Sequence, residues 1–226
     1  EGPDPQGQLA WLENELIAAE VAGERVLIAA HISPGRARGF KDLWQSRYQD
    51  SFLELTRLHH EVIEGMFFGH IHRDSYMIDV LGTDDDDEDD DDDGEEGLTT
   101  MYINSAVSPR SDNFPTFRKV ELDLDSLQLV DYVQYTLDLI EVMDSGEEEP
   151  LLAWEEEYRF STEYGEDQLS DAASLSLYHS MRHHNHVLHA WQDNWGGRSP
   201  QANITHDDIE YLCGIAHITN SAYASC

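Results

Sequence analysis

Gly65-Met66-Phe67-Phe68-Gly69-His70-Ile71-His72 joins a short apolar run to a Gly-His-x-His turn. The run predicts a strand over 64–69 that delivers His70 and His72 at its C-terminal end. Upstream, Val26-Leu27-Ile28-Ala29-Ala30 predicts a strand over 25–30 that delivers His31, followed by the loop Ile32-Ser33-Pro34-Gly35. Both runs read as buried strands. Each is preceded by a helical pattern: Leu9, Leu12, Leu16, Ile17 and Ala19 over 8–22, stopped by Gly23, and Trp44, Tyr48, Phe52, Leu55 and Leu58 over 44–63. The order helix, strand, helix, strand predicts an α/β unit with functional side chains at strand C-terminal ends, where open α/β sheets place their sites. Imidazole is a strong ligand for zinc and related ions, so His31, His70 and His72 are the candidate metal ligands. The two histidines of the motif are expected in a turn, with Gly69 supplying its backbone freedom.

Strands are also expected at 74–81, 99–104, 116–123 and 127–135, the last two as a hairpin around Asp123–Ser126. Beyond Gly146-Glu147-Glu148-Glu149-Pro150 the pattern turns helical. One helix starts with Trp154, Tyr158 and Phe160, others cover Leu169–Met181 and Val187–Trp195, and short ones cover 206–212 and 215–224. This divides the chain into an α/β part, 1–145, and a helical part, 146–226. The five tryptophans, Trp11, Trp44, Trp154, Trp191 and Trp195, are expected in the core or between the two parts.

The chain has 226 residues, 40% of them hydrophobic, enough for a packed core. Its formal net charge is −34, and the tract 84–96 contributes 12 acids and no base. That tract reads as a disordered, solvated loop. The remainder is still strongly acidic, which excludes nucleic acid as a partner, because phosphate binding needs clustered Lys and Arg. It equally disfavours an anionic membrane surface. No apolar stretch approaches the ~20 residues that span a bilayer, so no transmembrane segment is expected. No signal peptide opens the chain, and Glu1-Gly2-Pro3-Asp4-Pro5 reads like a segment cut from a longer protein. Cys213 and Cys226 could close a loop worth about 3 kcal/mol or stand as free thiols. Asn203-Ile204-Thr205 is a glycosylation sequon, which with a disulfide favours a secreted, lysosomal or vacuolar location. His179, His183, His184, His186 and His189 have helical spacing but no focusing carboxylates, and read as a solvated or packed helix, whereas His59 and His60, within the second helix, are expected at the surface. Arg36, Arg38 and Arg110 could contact a phosphate, and Tyr102 and Asn104 could line the pocket.

Ala30-His31-Ile32-Ser33-Pro34-Gly35 and Gly65-Met-Phe-Phe-Gly-His-Ile-His-Arg-Asp74 resemble the second half of a calcineurin-like metallophosphoesterase. More narrowly, they resemble acid sphingomyelinase and the acid-sphingomyelinase-like phosphodiesterases, the stretch Gly69–Ser75 being nearest the latter. Asn104–Pro109, Phe117-Arg118 and Asp131–Tyr135 resemble segments that follow in that family, and Cys213–Cys226 resembles its last disulfide loop. The resemblance covers the chain except the acidic tract. It implies the C-terminal half of an αββα sandwich followed by a small helical domain. It also implies a dinuclear zinc site of two ions, His31 and His70 binding one and His72 the other, and hydrolysis of a phosphodiester: a sphingomyelin-like lipid head group or a nucleotide.

The family's Asp-x-His, Gly-Asp and Gly-Asn-His motifs do not occur ahead of His31. They carry the remaining ligands and the histidine that protonates the leaving group, so these are expected upstream, in a missing N-terminal half of the same protein, and this chain alone is expected to be inactive. The family's additional cysteine pair is also replaced, by Asn203-Ile-Thr-His-Asp-Asp. Two rival readings stay open: an endopolyphosphatase-type metallophosphoesterase, and an inactive interaction module whose acidic tract recruits a basic partner.

Overall fold

In a computed structural model, residues 4–36, 42–79, 98–110, 112–146, 151–200, 202, 210–219 and 223 are described. The acidic tract 84–96, Arg38, Asn203 and Cys226 lie outside the described residues, as do parts of the short C-terminal helices expected at 206–212 and 215–224.

The first sheet holds β1 (Val26–Ala29), β2 (Ile63–Phe68), β3 (Ser75–Asp79) and β4 (Thr99–Ile103), in the order β1-β2-β4-β3. The pairs β1–β2 and β2–β4 are parallel, while β3 returns antiparallel to β4. Three strands therefore end on one rim. The helix α2 (Ser46–Leu58) supplies the crossover from β1 to β2, and α1 (Gln8–Ala22), which precedes β1, packs with it on the same core layer. Gly23 closes α1 in the left-handed conformation at φ 69°, the expected stop.

Strand alternation divides the core into two layers. Met66, Phe68, Met77, Met101 and Ile103 pack with Leu16, Phe52 and Leu53 of the helices. The intervening Phe67, Tyr76, Ile78 and Tyr102 point the other way. That second face meets an antiparallel sheet of β5 (Thr116–Leu122), β6 (Leu129–Thr136) and β7 (Glu155–Arg159), in that order. It also meets α5 (Asp171–His183), α6 (Asn185–Trp195) and α7 (Glu210–Ala216). Two short helices, α3 (Leu139–Asp144) and α4 (Phe160–Tyr164), complete the described elements. Leu169, Leu177, Met181, Trp191 and Ile215 thus share one core with Ile78 and Tyr102 of the first sheet. This mixed α/β architecture with two sheets is consistent with a metallophosphoesterase-like fold.

Three expectations change. The segment 154–160 begins as a strand, because the open side of β6 offers a full ladder, Val133 opposite Arg159 through Thr136 opposite Glu155. The i,i+4 spacing of Trp154 and Tyr158 loses to those hydrogen bonds. β1 is an edge strand rather than a buried one: its burial alternates and Leu27 is 49% exposed. Trp11 is 59% exposed on α1, whereas Trp191 and Trp195 are buried as expected. Among the described residues no helix is long and apolar enough to cross a membrane.

Candidate metal centre

The rim formed by the C-terminal ends of β1, β2 and β4 gathers His31, His70 and Asn104. Backbone hydrogen bonds continue the sheet beyond its strands and set these residues side by side. The Ala30 amide donates to the Phe67 carbonyl (3.0 Å), the Gly69 amide to the His31 carbonyl (2.9 Å), and the Asn104 amide to the Phe68 carbonyl (2.8 Å). As a result the His31 Nε2 and His70 Nδ1 atoms face each other at 3.3 Å, with their rings nearly perpendicular at 83°. Both residues are exposed.

The turn itself departs from the expectation placed on Gly69. It is the two histidines that occupy the left-handed region, His70 at φ 73° and His72 at φ 57°. The Ile71 amide donates to the Gly69 carbonyl (2.9 Å), closing a tight three-residue turn on His70. A Cβ on Gly69 would meet the His31 carbonyl oxygen at 3.8 Å and His31 Nδ1 at 4.0 Å, ordinary contact distances. A left-handed non-glycine residue costs about 1–3 kcal/mol and persists only where its surroundings over-determine it. Of the glycines in the two histidine loops, Gly35 is the one with a steric reason: at φ 89°, a Cβ there would meet Met77 Sδ at 2.9 Å and Ile218 Cγ2 at 3.0 Å. Its amide donates to Gln49 Oε1 (2.8 Å), and Gln49 Nε2 donates to the Ile218 carbonyl (3.2 Å), so a buried glutamine ties the first histidine loop to α2.

A zinc ion is the group the resemblance implies, and the donors fit it. Two nitrogens bound to one tetrahedral zinc at about 2.0–2.1 Å lie about 3.3–3.4 Å apart, matching the His31–His70 separation of 3.3 Å. His72 is half-buried, and its Nδ1 is buried with no hydrogen-bond partner, as are Asn104 Oδ1 and Ser105 Oγ on the neighbouring loop. Buried polar atoms normally find a partner, so these are atoms whose chemistry a bound ion or substrate would satisfy. The structure brings His31 and His70 together and places His72 two residues on. Among the described residues, no three His, Cys, Asp or Glu side chains converge into a complete metal-binding set.

The other expected contributors divide. Tyr102 faces the second core layer, its hydroxyl donating to the Ser170 carbonyl (3.5 Å) and lying 3.3 Å from Ser174 Oγ, so it does not line the site. The Arg36 guanidinium lies 4.7 Å from the Tyr223 ring centroid, and Arg110 is exposed. Sequence reasoning gave no role to the polar anchor behind the turn. Asp74, at the foot of β3, pairs with Arg118 of β5, and the two side chains are 6% and 2% exposed. The Tyr158 hydroxyl donates to Asp74 Oδ2 (2.5 Å) and shares a 2.9 Å contact with the Tyr132 hydroxyl, while the Asp74 amide donates to the Trp195 carbonyl (3.1 Å). Arg118 also lies 3.8 Å over the Tyr132 ring and donates to Gln134 Oε1 (3.2 Å). The available signal was the period-2 pattern of β5, which sets Arg118 on the inward face between Thr116 and Val120. Beside this anchor, burial and then the Asp74 charge push the Glu157 carboxyl up to about 8.

No family model matches the chain. It is 35% identical over 165 residues to the sphingomyelinase phosphodiesterase D of Dictyostelium discoideum, a match to 73% of this chain and 35% of that protein. It is 29% identical over 238 residues to the mouse (Mus musculus) acid sphingomyelinase-like phosphodiesterase 3b, covering 99% of this chain and 48% of the relative. The human (Homo sapiens) cyclic GMP-AMP phosphodiesterase SMPDL3A is 27% identical over 240 residues, again 99% of this chain and 48% of the relative. The chain therefore spans about half, or less, of the length of the curated relatives it matches. Two of these matches run along nearly its whole length, and all are of one kind: the curated homologues of this chain are acid sphingomyelinase-like phosphodiesterases.

Proposed function

We propose that this chain supplies histidine ligands to the dinuclear zinc site of a phosphodiesterase, the rest of that site lying in upstream sequence. One observation carries the reading: the 3.3 Å approach of His31 Nε2 to His70 Nδ1 at the rim of a parallel sheet, in a chain whose relatives are named phosphodiesterases. His31 and His70 would hold one ion, and His72 the other. When bound, zinc supplies a polarised phosphoryl oxygen and an activated water.

The chain's own part is to present neutral nitrogen donors in fixed directions. The Gly69 amide bond to the His31 carbonyl locks the spacing of the two loops, so the imidazoles need little reorganisation to bind. Asn104 Oδ1, beside the turn, is placed to accept from a bound water or substrate hydroxyl. The substrate would be a phosphodiester, either a lipid head group or a nucleotide, since a relative named a sphingomyelinase phosphodiesterase and one named a cyclic GMP-AMP phosphodiesterase both match the chain. The general acid would come from the upstream sequence, consistent with a chain that covers 48% of these relatives. A Cys213–Cys226 bridge, glycosylation at Asn203 and a secreted or lysosomal location complete the proposal.

Cobalt titration of the chain, followed by visible absorption, tests the ligand pair. A ligand-field band that saturates, and that His31→Ala and His70→Ala each abolish, is the expected result. A spectrum indifferent to both substitutions would overturn the reading.

A further inference from the structure

We propose that Asp74 is the positioning residue of the histidine turn, fixing the His70 and His72 imidazoles through its buried contacts with Arg118, Tyr158 and the Trp195 backbone. The inference rests on the metal-centre reading and deepens it.

Two left-handed histidines in three residues form a path the chain would leave if its ends were free. The start of the turn is fixed by the Gly69 amide bonding to the His31 carbonyl. Within it, side chains alternate. His70 is exposed and His72 half-buried, whereas Ile71 is 2% exposed in the core beneath α1 and α2, and the Arg73 guanidinium lies 4.5 Å from the Trp195 ring centroid. The end of the turn is fixed by Asp74. Its three partners come from β5, β7 and α6, so the turn is tied to the second layer of the molecule and not only to its own sheet.

Charge strengthens the anchor. Asp74 and Arg118 are both withdrawn from water, and an ion pair so placed holds its geometry because neither member can be left alone without a large desolvation penalty. Tyr158 occupies the carboxylate oxygen that Arg118 Nη2 leaves. The carboxylate is therefore held from both sides, and its backbone, two residues beyond His72, is held with it. Groups that orient metal ligands from behind typically change metal affinity about 10–100-fold when removed.

The test uses two variants. Asp74→Asn keeps the shape of the side chain and removes its charge. Tyr158→Phe keeps the ring and its packing and removes one hydrogen bond, so it folds even where the first does not. Zinc affinity is measured by competition with a chromophoric chelator, at a temperature where far-UV circular dichroism shows each protein fully folded. Imidazole nitrogen NMR spectra are recorded on the zinc-free proteins. In folded Tyr158→Phe, zinc affinity is expected to fall about 10-fold, with His70 and His72 resonances shifted and those of the distant His179 and His189 unchanged. Wild-type affinity together with unmoved His70 and His72 resonances in the folded variant would overturn the positioning role. If the wild-type chain binds no zinc, the metal reading fails, and the zinc-free spectra still decide whether Asp74 positions the turn.

Discussion

The loop after β1 and the turn after β2 bring one histidine each to the same rim, yet they are held by different means. The first is a steric lock. Gly35 sits where a side chain would strike Met77 and Ile218, and the buried Gln49 pins it to α2. The second is an ionic lock: no steric need for its glycine, the strain borne by the histidines themselves, and the Asp74–Arg118 pair behind them. The presence of a glycine in a motif is thus a poor guide to where strain resides. In the second turn the left-handed residues are the proposed ligands.

Breaking each lock separately should expose the contrast. Arg118→Ala strands a buried carboxylate and removes the ionic link between the sheets, leaving the Tyr158 hydrogen bond, with an expected loss of about 3–5 kcal/mol in urea unfolding. Gly35→Ala forces a side chain into a left-handed, crowded position, with an expected loss of about 2–3 kcal/mol by the same measurement. Glu157 reports on the ionic lock through pH. Its folded carboxyl is raised to about 8, so the native state holds its proton where the unfolded chain releases it. Its contribution is intact below the ordinary carboxylate range and is lost as pH rises towards 8. Glu157→Gln removes that loss. Thermal melts should show the variant gaining on the wild type by about 1–3 kcal/mol at pH 8 and matching it near pH 4. Gly69→Ala should be the mildest change, within about 0.5 kcal/mol of wild type, because the space beside it is open to a methyl group. A large loss there would return the strain to the glycine and erase the distinction.

Much of this arrangement was legible in the sequence. The helix-strand-helix-strand order around His31 and His70 follows from hydrophobic period, and α1 with its Gly23 stop and the hairpin of β5 and β6 fall where the pattern places them. Asp123 even caps that hairpin as its composition suggests, accepting from the Asp125 and Ser126 amides. β7 was illegible because its aromatic spacing fits a helix equally well, and the decision came from the exposed ladder of β6, a nonlocal partner. Tyr102 illustrates the same limit: residence at a strand end says nothing about which face a side chain takes until the register is known. Asp74 and Arg118 stood out least, since 44 positions separate two charges whose pairing only the packed sheets create.

The most direct measurement is hydrolysis of bis(p-nitrophenyl) phosphate by the protein extended upstream to the length of its relatives, beside its His70→Ala variant, with zinc content determined in both. Zinc-dependent turnover that falls by about 100-fold or more in the variant, together with lost zinc, is the expected result. Turnover that survives the loss of His70, or a fully folded wild-type protein that holds zinc and cleaves no phosphodiester, would contradict it.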